Sequence, residues 1–184
     1  MISMAIFRSS VMRETAMAGA IRIGILTISD KGSVGEREDR SGPLIREVVA
    51  EIGAQVLQYE IVPDERPQIS SKLAEWADAG ELDLIITTGG TGLGARDVTP
   101  EATLDVLDMV VPGFGEAMRM EGLKKTPVAI LSRGVGGVRA KAVIINLPGS
   151  PRGAQESLEA VLLALSHAAE MARGRVGDHA VDMA

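Results

Sequence analysis

Apolar residues run along this chain in short unbroken stretches separated by mixed ones. Ile21 to Ser29, Val56 to Val62 and Ala142 to Leu147 read as strands, and the segment with Leu82, Leu84, Ile85 and Ile86 as a buried one. Ser41 to Ile52 reads as a helix with Ser41 at its cap and Gly53 at its end, and Gln68 to Ala79 as a second helix stopped by Gly80. Trp76 belongs to that helix as a packing residue. The stretch from Ala154 to Arg173 is a long amphipathic helix. A short helix from Pro100, apolar segments at Pro112 to Met120 and Val128 to Leu131, and a flexible Gly134-Val135-Gly136-Gly137 turn complete the pattern. Strand and helix alternate, with connections long enough for right-handed crossovers. The expected fold is therefore α/β: three layers, a largely parallel sheet with helices on both faces.

Chemistry concentrates where one strand ends. Thr87-Thr88-Gly89-Gly90-Thr91-Gly92-Leu93-Gly94 follows the Leu82 to Ile86 run, and its glycines leave no side chains between a ligand and the backbone N–H groups. Thr99 is then expected to cap a helix with Pro100 at its first position, aiming further donors at the same loop. Asp97 and Glu101 stand beside this anion site. Carboxylates there repel a phosphate unless a divalent cation lies between, so magnesium and a nucleotide are the economical reading, with Asp97 and Glu101 as metal-associated carboxylates. The loop is no Walker motif, because Lys-Ser or Lys-Thr does not follow the glycines, and it lacks the third glycine of a dinucleotide fingerprint. A second strand-to-helix loop, Asn146-Leu147-Pro148-Gly149-Ser150-Pro151, places Ser150 as a cap and Pro151 at a first helical position. Two such loops at carboxyl strand ends are what a ligand crevice in an open α/β sheet requires.

Composition narrows the chemistry. At 184 residues one domain is expected, over 20–174, with an N-terminal extension at 1–19 and a tail at 175–184. The 19 basic residues face 25 acidic ones, and Trp 1, Tyr 1 and Phe 2 are the whole aromatic complement, so neither a basic footprint nor a stacking platform for nucleic acid is expected. Positive charge for an anionic substrate must be local: Arg96, Arg133, Arg139, Lys141 and Arg152 are the candidates. Without cysteine, thiolate chemistry is excluded; with histidine only at 167 and 179, so are a Ser-His-Asp triad and a His-ligated zinc in the main body. Arg8, Arg13 and Glu14 interrupt the N-terminal apolar stretch, and Glu156, Glu159, Glu170 and Arg173 mark the last helix as core-packing rather than membrane-spanning. A soluble, cytoplasmic protein is expected.

With these residues in view, the chain resembles the molybdopterin adenylyltransferase family, the Mog/MoaB proteins and the G domain of gephyrin. The resemblance rests on Thr88 to Gly92 through Asp97-Val98-Thr99-Pro100-Glu101, on Leu147-Pro148-Gly149, and on Ser29-Asp30 through Ser41-Gly42-Pro43. It implies an α/β protein, usually a homotrimer, that transfers AMP from Mg-ATP to the terminal phosphate of molybdopterin and releases pyrophosphate. A MoeA-type molybdate-inserting enzyme would take the product. Asp64, in Val62-Pro63-Asp64-Glu65, and Asp97 would be the acidic residues of catalysis. Thr88, Gly89, Gly90, Thr91 and Gly92 would hold nucleotide phosphates, with Pro148, Gly149 and Ser150 lining the crevice; a common family form has Asn or Gln at the position of Ser150. Ser29, Asp30, Arg133 and Arg139 are expected to meet the substrate, with Asp39 a further contact in the first loop. A non-catalytic pterin-binding paralogue and a CinA-like nucleotide pyrophosphatase are the alternative readings.

Overall fold

The computed structural model describes residues 20–174. The expected N-terminal extension and C-terminal tail lie outside the described residues. Chain order is β1 (Arg22–Ile28), α1 (Asp30–Ser33), α2 (Ser41–Ala50), β2 (Gln55–Val62), α3 (Arg66–Asp78), β3 (Leu84–Thr88), α4 (Thr99–Leu104), β4 (Met109–Val110), α5 (Pro112–Leu123), a 3₁₀ turn (Pro127–Leu131), β5 (Gly136–Arg139), β6 (Ala142–Leu147) and α6 (Pro151–Ala172).

The six strands form one sheet in the order β2-β1-β3-β6-β5-β4. The pairs β1–β2, β1–β3 and β3–β6 are parallel. Alternate residues of the central strands feed two cores. Ile23, Ile25, Leu84, Ile86, Val143 and Ile145 pack under α2, α5 and α6 through Ile45, Val49, Phe114, Leu158 and Leu165. Leu26, Ile28, Ile85 and Ile144 pack on the other face under α3 and α4 through Ile69, Leu73, Trp76 and Ala102. Burial on both faces explains why these strands read as unbroken apolar runs, and it makes the three-layer α/β arrangement.

Three local expectations are corrected. Ser41 is not a cap: it lies inside α2, and the Asp39 carboxylate accepts from the N–H groups of Ser41 at 2.8 Å and Gly42 at 3.1 Å. Thr99 is not a cap either. It is the first residue of α4, behind Val98, and its buried hydroxyl has no hydrogen-bond partner. Gly136 and Gly137 are not a turn but the start of β5, antiparallel to β6 and paired with Ile145 and Ile144. A β-carbon on Gly137 would fall 2.2 Å from the Met109 carbonyl, so glycine is there to admit the short edge strand β4. Ser150 does cap α6, accepting from the Gly153 N–H at 3.2 Å.

Candidate active site

After β1 the chain crosses to β2 on one side, then returns past β1 to β3 on the other. The carboxyl ends of β1 and β3 are therefore the switch point of the sheet, where loops diverge and a crevice opens. A cavity of about 730 Å³ lies there. Its walls are the end of β1 with Ser29 and Gly32, the segment Arg37 to Ser41, Asp64 after β2, Thr88-Gly89-Gly90 with Arg96 and Asp97 after β3, and Gly149-Ser150-Pro151 leading into α6.

The glycine loop leaves β3 through two residues in the left-handed region, Gly89 at φ +106 and Gly90 at φ +61. A β-carbon would lie 2.2 Å from the Ile28 carbonyl at Gly89 and 2.4 Å from Thr99 Oγ1 at Gly90, so both positions are closed to side chains. The two strand-end loops are tied together behind the cavity. Thr88 Oγ1 donates to the Pro148 carbonyl at 2.7 Å, and Gly149 packs directly on Gly89. Below them, buried Asn146 donates from Nδ2 to Thr87 Oγ1 at 3.0 Å and to Thr103 Oγ1 at 2.8 Å. Ser41 Oγ donates to the Gly149 carbonyl at 2.9 Å, adding α2 to the same frame.

Carboxylates gather at the mouth. Asp30 and Asp64 hold each other reciprocally: the Asp30 N–H donates to Asp64 Oδ2 at 2.8 Å and the Asp64 N–H to Asp30 Oδ1 at 3.0 Å. Arg96 reaches over from the glycine loop, donating to both Asp30 oxygens at 3.1 and 2.8 Å and to Glu65 Oε1 at 2.8 Å. That guanidinium, with the Asp64 N–H, holds the Asp30 carboxyl below its ordinary range. Asp64 behaves oppositely. Burial, with the negative charges of Asp30 and Asp97, pushes its carboxyl up despite the Asp30 N–H. Asp39 loses to burial but gains more from Thr27 Oγ1 at 2.5 Å, Tyr59 Oη at 2.6 Å and the two α2 N–H groups, and is held below its ordinary value. Burial and that same Asp39 contact push the Tyr59 phenol up to about 12.

Of the residues singled out in the sequence, the fold brings Ser29, Asp64, Thr88, Gly89, Gly90, Asp97, Gly149 and Ser150 onto the cavity wall. Asp30 stands just behind, positioning Asp64. Thr91, Gly92 and Pro148 lie outside the lining; the space a Gly92 side chain would take is filled by Asp97 Oδ2, 3.0 Å from the β-carbon position. Glu101 and Arg133 pair with each other outside the lining. Arg139, expected to meet the substrate, lies away from this cavity. It sits at the start of the β5–β6 hairpin, the opposite end of the sheet, bound to Asp78 at 2.9 and 2.7 Å and to the Val106 carbonyl. Arg37 and Arg40 are cations of the wall that the sequence did not single out.

Among the described residues, no cluster of three or more His, Cys, Asp or Glu side chains could hold a metal by protein ligands alone. Asp64 and Asp97, both on the cavity wall, form an all-oxygen pair. Burial, the largest cause of the raised Asp64 carboxyl, disfavours its charged form.

Residues 24–167 match the model of the family described as "Probable molybdopterin binding domain". The molybdopterin adenylyltransferase of Helicobacter pylori J99 is 49% identical over 156 residues, covering 84% of this chain and 89% of that protein. That of Escherichia coli K12 is 45% identical over 143 residues, 77% of this chain and 73% of that one. The crystal structure of the molybdopterin biosynthesis enzyme MoaB from Thermus thermophilus superimposes with a TM-score of 0.80 at 58% identity, covering 84% of this chain and 97% of that one.

Proposed function

This chain belongs to the family of probable molybdopterin-binding domains, and from that premise we propose that it is a molybdopterin adenylyltransferase of molybdenum cofactor biosynthesis. The observation that carries the reading is the convergence of the Thr88 to Gly90 loop, the Asp64 and Asp97 carboxylates and the α6 N-terminus on one cavity at the sheet's switch point.

In the reaction, a terminal phosphate oxygen of molybdopterin attacks the α-phosphorus of ATP. The bond from that phosphorus to the bridging oxygen breaks, and pyrophosphate leaves with the electron pair. The nucleophile is already anionic, so no general base is required, and neither Cys nor a wall histidine is present to supply one. Catalysis then reduces to alignment and charge neutralisation. Thr88, Gly89, Gly90, Gly149 and Ser150 cradle phosphates with backbone groups and a helix N-terminus. Thr91, Gly92 and Pro148 support that cradle from outside it. Ser29 faces the pterin substrate, with Asp30 fixing Asp64. Asp64 and Asp97 would hold magnesium, which supplies charge neutralisation on the nucleotide phosphates when bound. Arg96, Arg37 and Arg40 are the cations within reach of an anionic substrate.

We further infer a cytoplasmic homotrimer that passes its product to a MoeA-type molybdate-inserting enzyme. Exposed Met109, Val110, Met120, Leu123, Val128 and Ile130, on the neighbouring β4, α5 and 3₁₀ turn, supply an apolar surface for subunit contact. No described helix is long and apolar enough to cross a membrane.

The test is pyrophosphate release. It should need both Mg-ATP and molybdopterin and stop with EDTA. Release from ATP without the pterin would favour the pyrophosphatase reading, and tight pterin binding with no release would favour the non-catalytic paralogue.

A further inference from the structure

Arg133 occupies the segment between the 3₁₀ turn and β5, and its backbone N–H and all three guanidinium nitrogens donate to the glycine loop and its helix. Its backbone N–H donates to the Thr91 carbonyl at 3.0 Å. Its Nε donates to the Gly92 carbonyl at 2.7 Å and its Nη2 to the Asp97 carbonyl at 2.5 Å, while Nη1 pairs with Glu101 Oε1. Glu101 is thereby the counter-charge of this guanidinium, and its other oxygen is buried without a partner.

In a planar trans peptide the carbonyl and the following N–H point to opposite sides. Carbonyls of Thr91, Gly92 and Asp97 drawn toward Arg133 therefore turn the N–H groups of Gly92, Leu93 and Val98 away from it. The same contacts set the Asp97 backbone, whose carboxylate is in turn pinned by the Gly94 N–H at 2.7 Å and closed in by Gly92 and Gly94. Only a guanidinium reaches three acceptors at fixed angles.

We propose that Arg133 is a positioning residue: it holds the glycine loop and, through it, the Asp97 carboxylate, and it does not touch substrate. The proposal rests on the reading of Asp97 as an active carboxylate. It departs from the expectation that Arg133 is a substrate cation.

Arg133→Lys, Arg133→Gln and Asp97→Asn would be compared with the parent by amide hydrogen exchange of the ligand-free proteins and by pyrophosphate-release kinetics. In both Arg133 variants, exchange across residues 89–98 should rise about tenfold or more, as expected when charged hydrogen bonds are lost, with β1 unchanged. Turnover should fall by about 100-fold while KM for molybdopterin stays put, since a small misplacement of a reacting group costs that much. Unchanged loop exchange with a raised molybdopterin KM would overturn the proposal in favour of direct contact. A lowered melting temperature with normal turnover of the folded fraction would overturn it in favour of a purely structural role. If Asp97→Asn turns over normally, the reading of Asp97 fails, and the exchange data still decide whether Arg133 holds the loop.

Discussion

Asp64 is a residue whose function and stability pull apart. Its raised carboxyl means that the folded chain holds the proton more tightly than the unfolded one, so ionisation costs stability at pH above the raised value. That cost vanishes as pH falls below the ordinary value of 3.8. Asp64→Asn, which can still accept from the Asp30 N–H, should melt no lower than the parent at neutral pH yet lose on the order of 100-fold in turnover. Equal turnover would make Asp64 a turn residue. In the metal-free protein the Asp64 carboxyl should titrate above its ordinary 3.8, read from an NMR titration of the side-chain carboxyl. Gly92 shows how far the sequence could be read at this scale. A phosphate against Gly92 is the natural expectation from a glycine-rich loop, but the neighbour that excludes a β-carbon is Asp97 itself. Gly92→Ala should therefore act on turnover, by displacing Asp97 a few tenths of an ångström, more than on nucleotide affinity measured by calorimetry.

At the scale of elements, the caps separate what spacing can tell from what it cannot. Ser150 followed by Pro151 reads correctly because the capping side chain and the N–H it serves are three residues apart in one turn. Ser150→Ala should cost about 1 kcal/mol, visible as a lower melting temperature. For α2 the N-cap position is Arg40, and the side chain that accepts from the first helical N–H groups is Asp39, two residues before the expected Ser41, because Thr27 and Tyr59 from neighbouring strands hold its carboxylate in place. No local pattern carries that information. The folded protein keeps Asp39 ionised below its ordinary range, so its contribution is complete above the unfolded value of 3.8 and is lost as pH falls through the lower folded value. Asp39→Asn should lower stability at pH 7 and flatten the acid side of the stability curve; an unchanged acid limb would deny Asp39 that role. β4 and β5 were illegible for a related reason, since a two-residue strand and a glycine pair carry no alternating pattern.

For the molecule as a whole, the central parallel strands β1, β3 and β6 and the two loops after β3 and β6 were legible, because burial on both faces writes continuous apolar runs and ligand loops need glycine. Which surface arginine meets which carboxylate was not, because pairing depends on contacts far apart in sequence: Arg133 with Glu101, Arg139 with Asp78, Arg96 with Asp30. Assembly belongs to this scale too. Light scattering should give a mass about three times the 19.3 kDa chain, and Val128→Asp with Ile130→Asp should shift it toward one. A monomeric parent would remove the trimer from the account. The central claim, that the crevice between β1 and β3 carries adenylyl transfer, is tested most directly by ATP labelled at the α-phosphate. Incubated with molybdopterin and magnesium, the parent should move the label into the pterin, one per pyrophosphate released, while Asp64→Asn and Asp97→Asn leave it in ATP. Label recovered as free AMP, or equal transfer by both variants, would contradict the account.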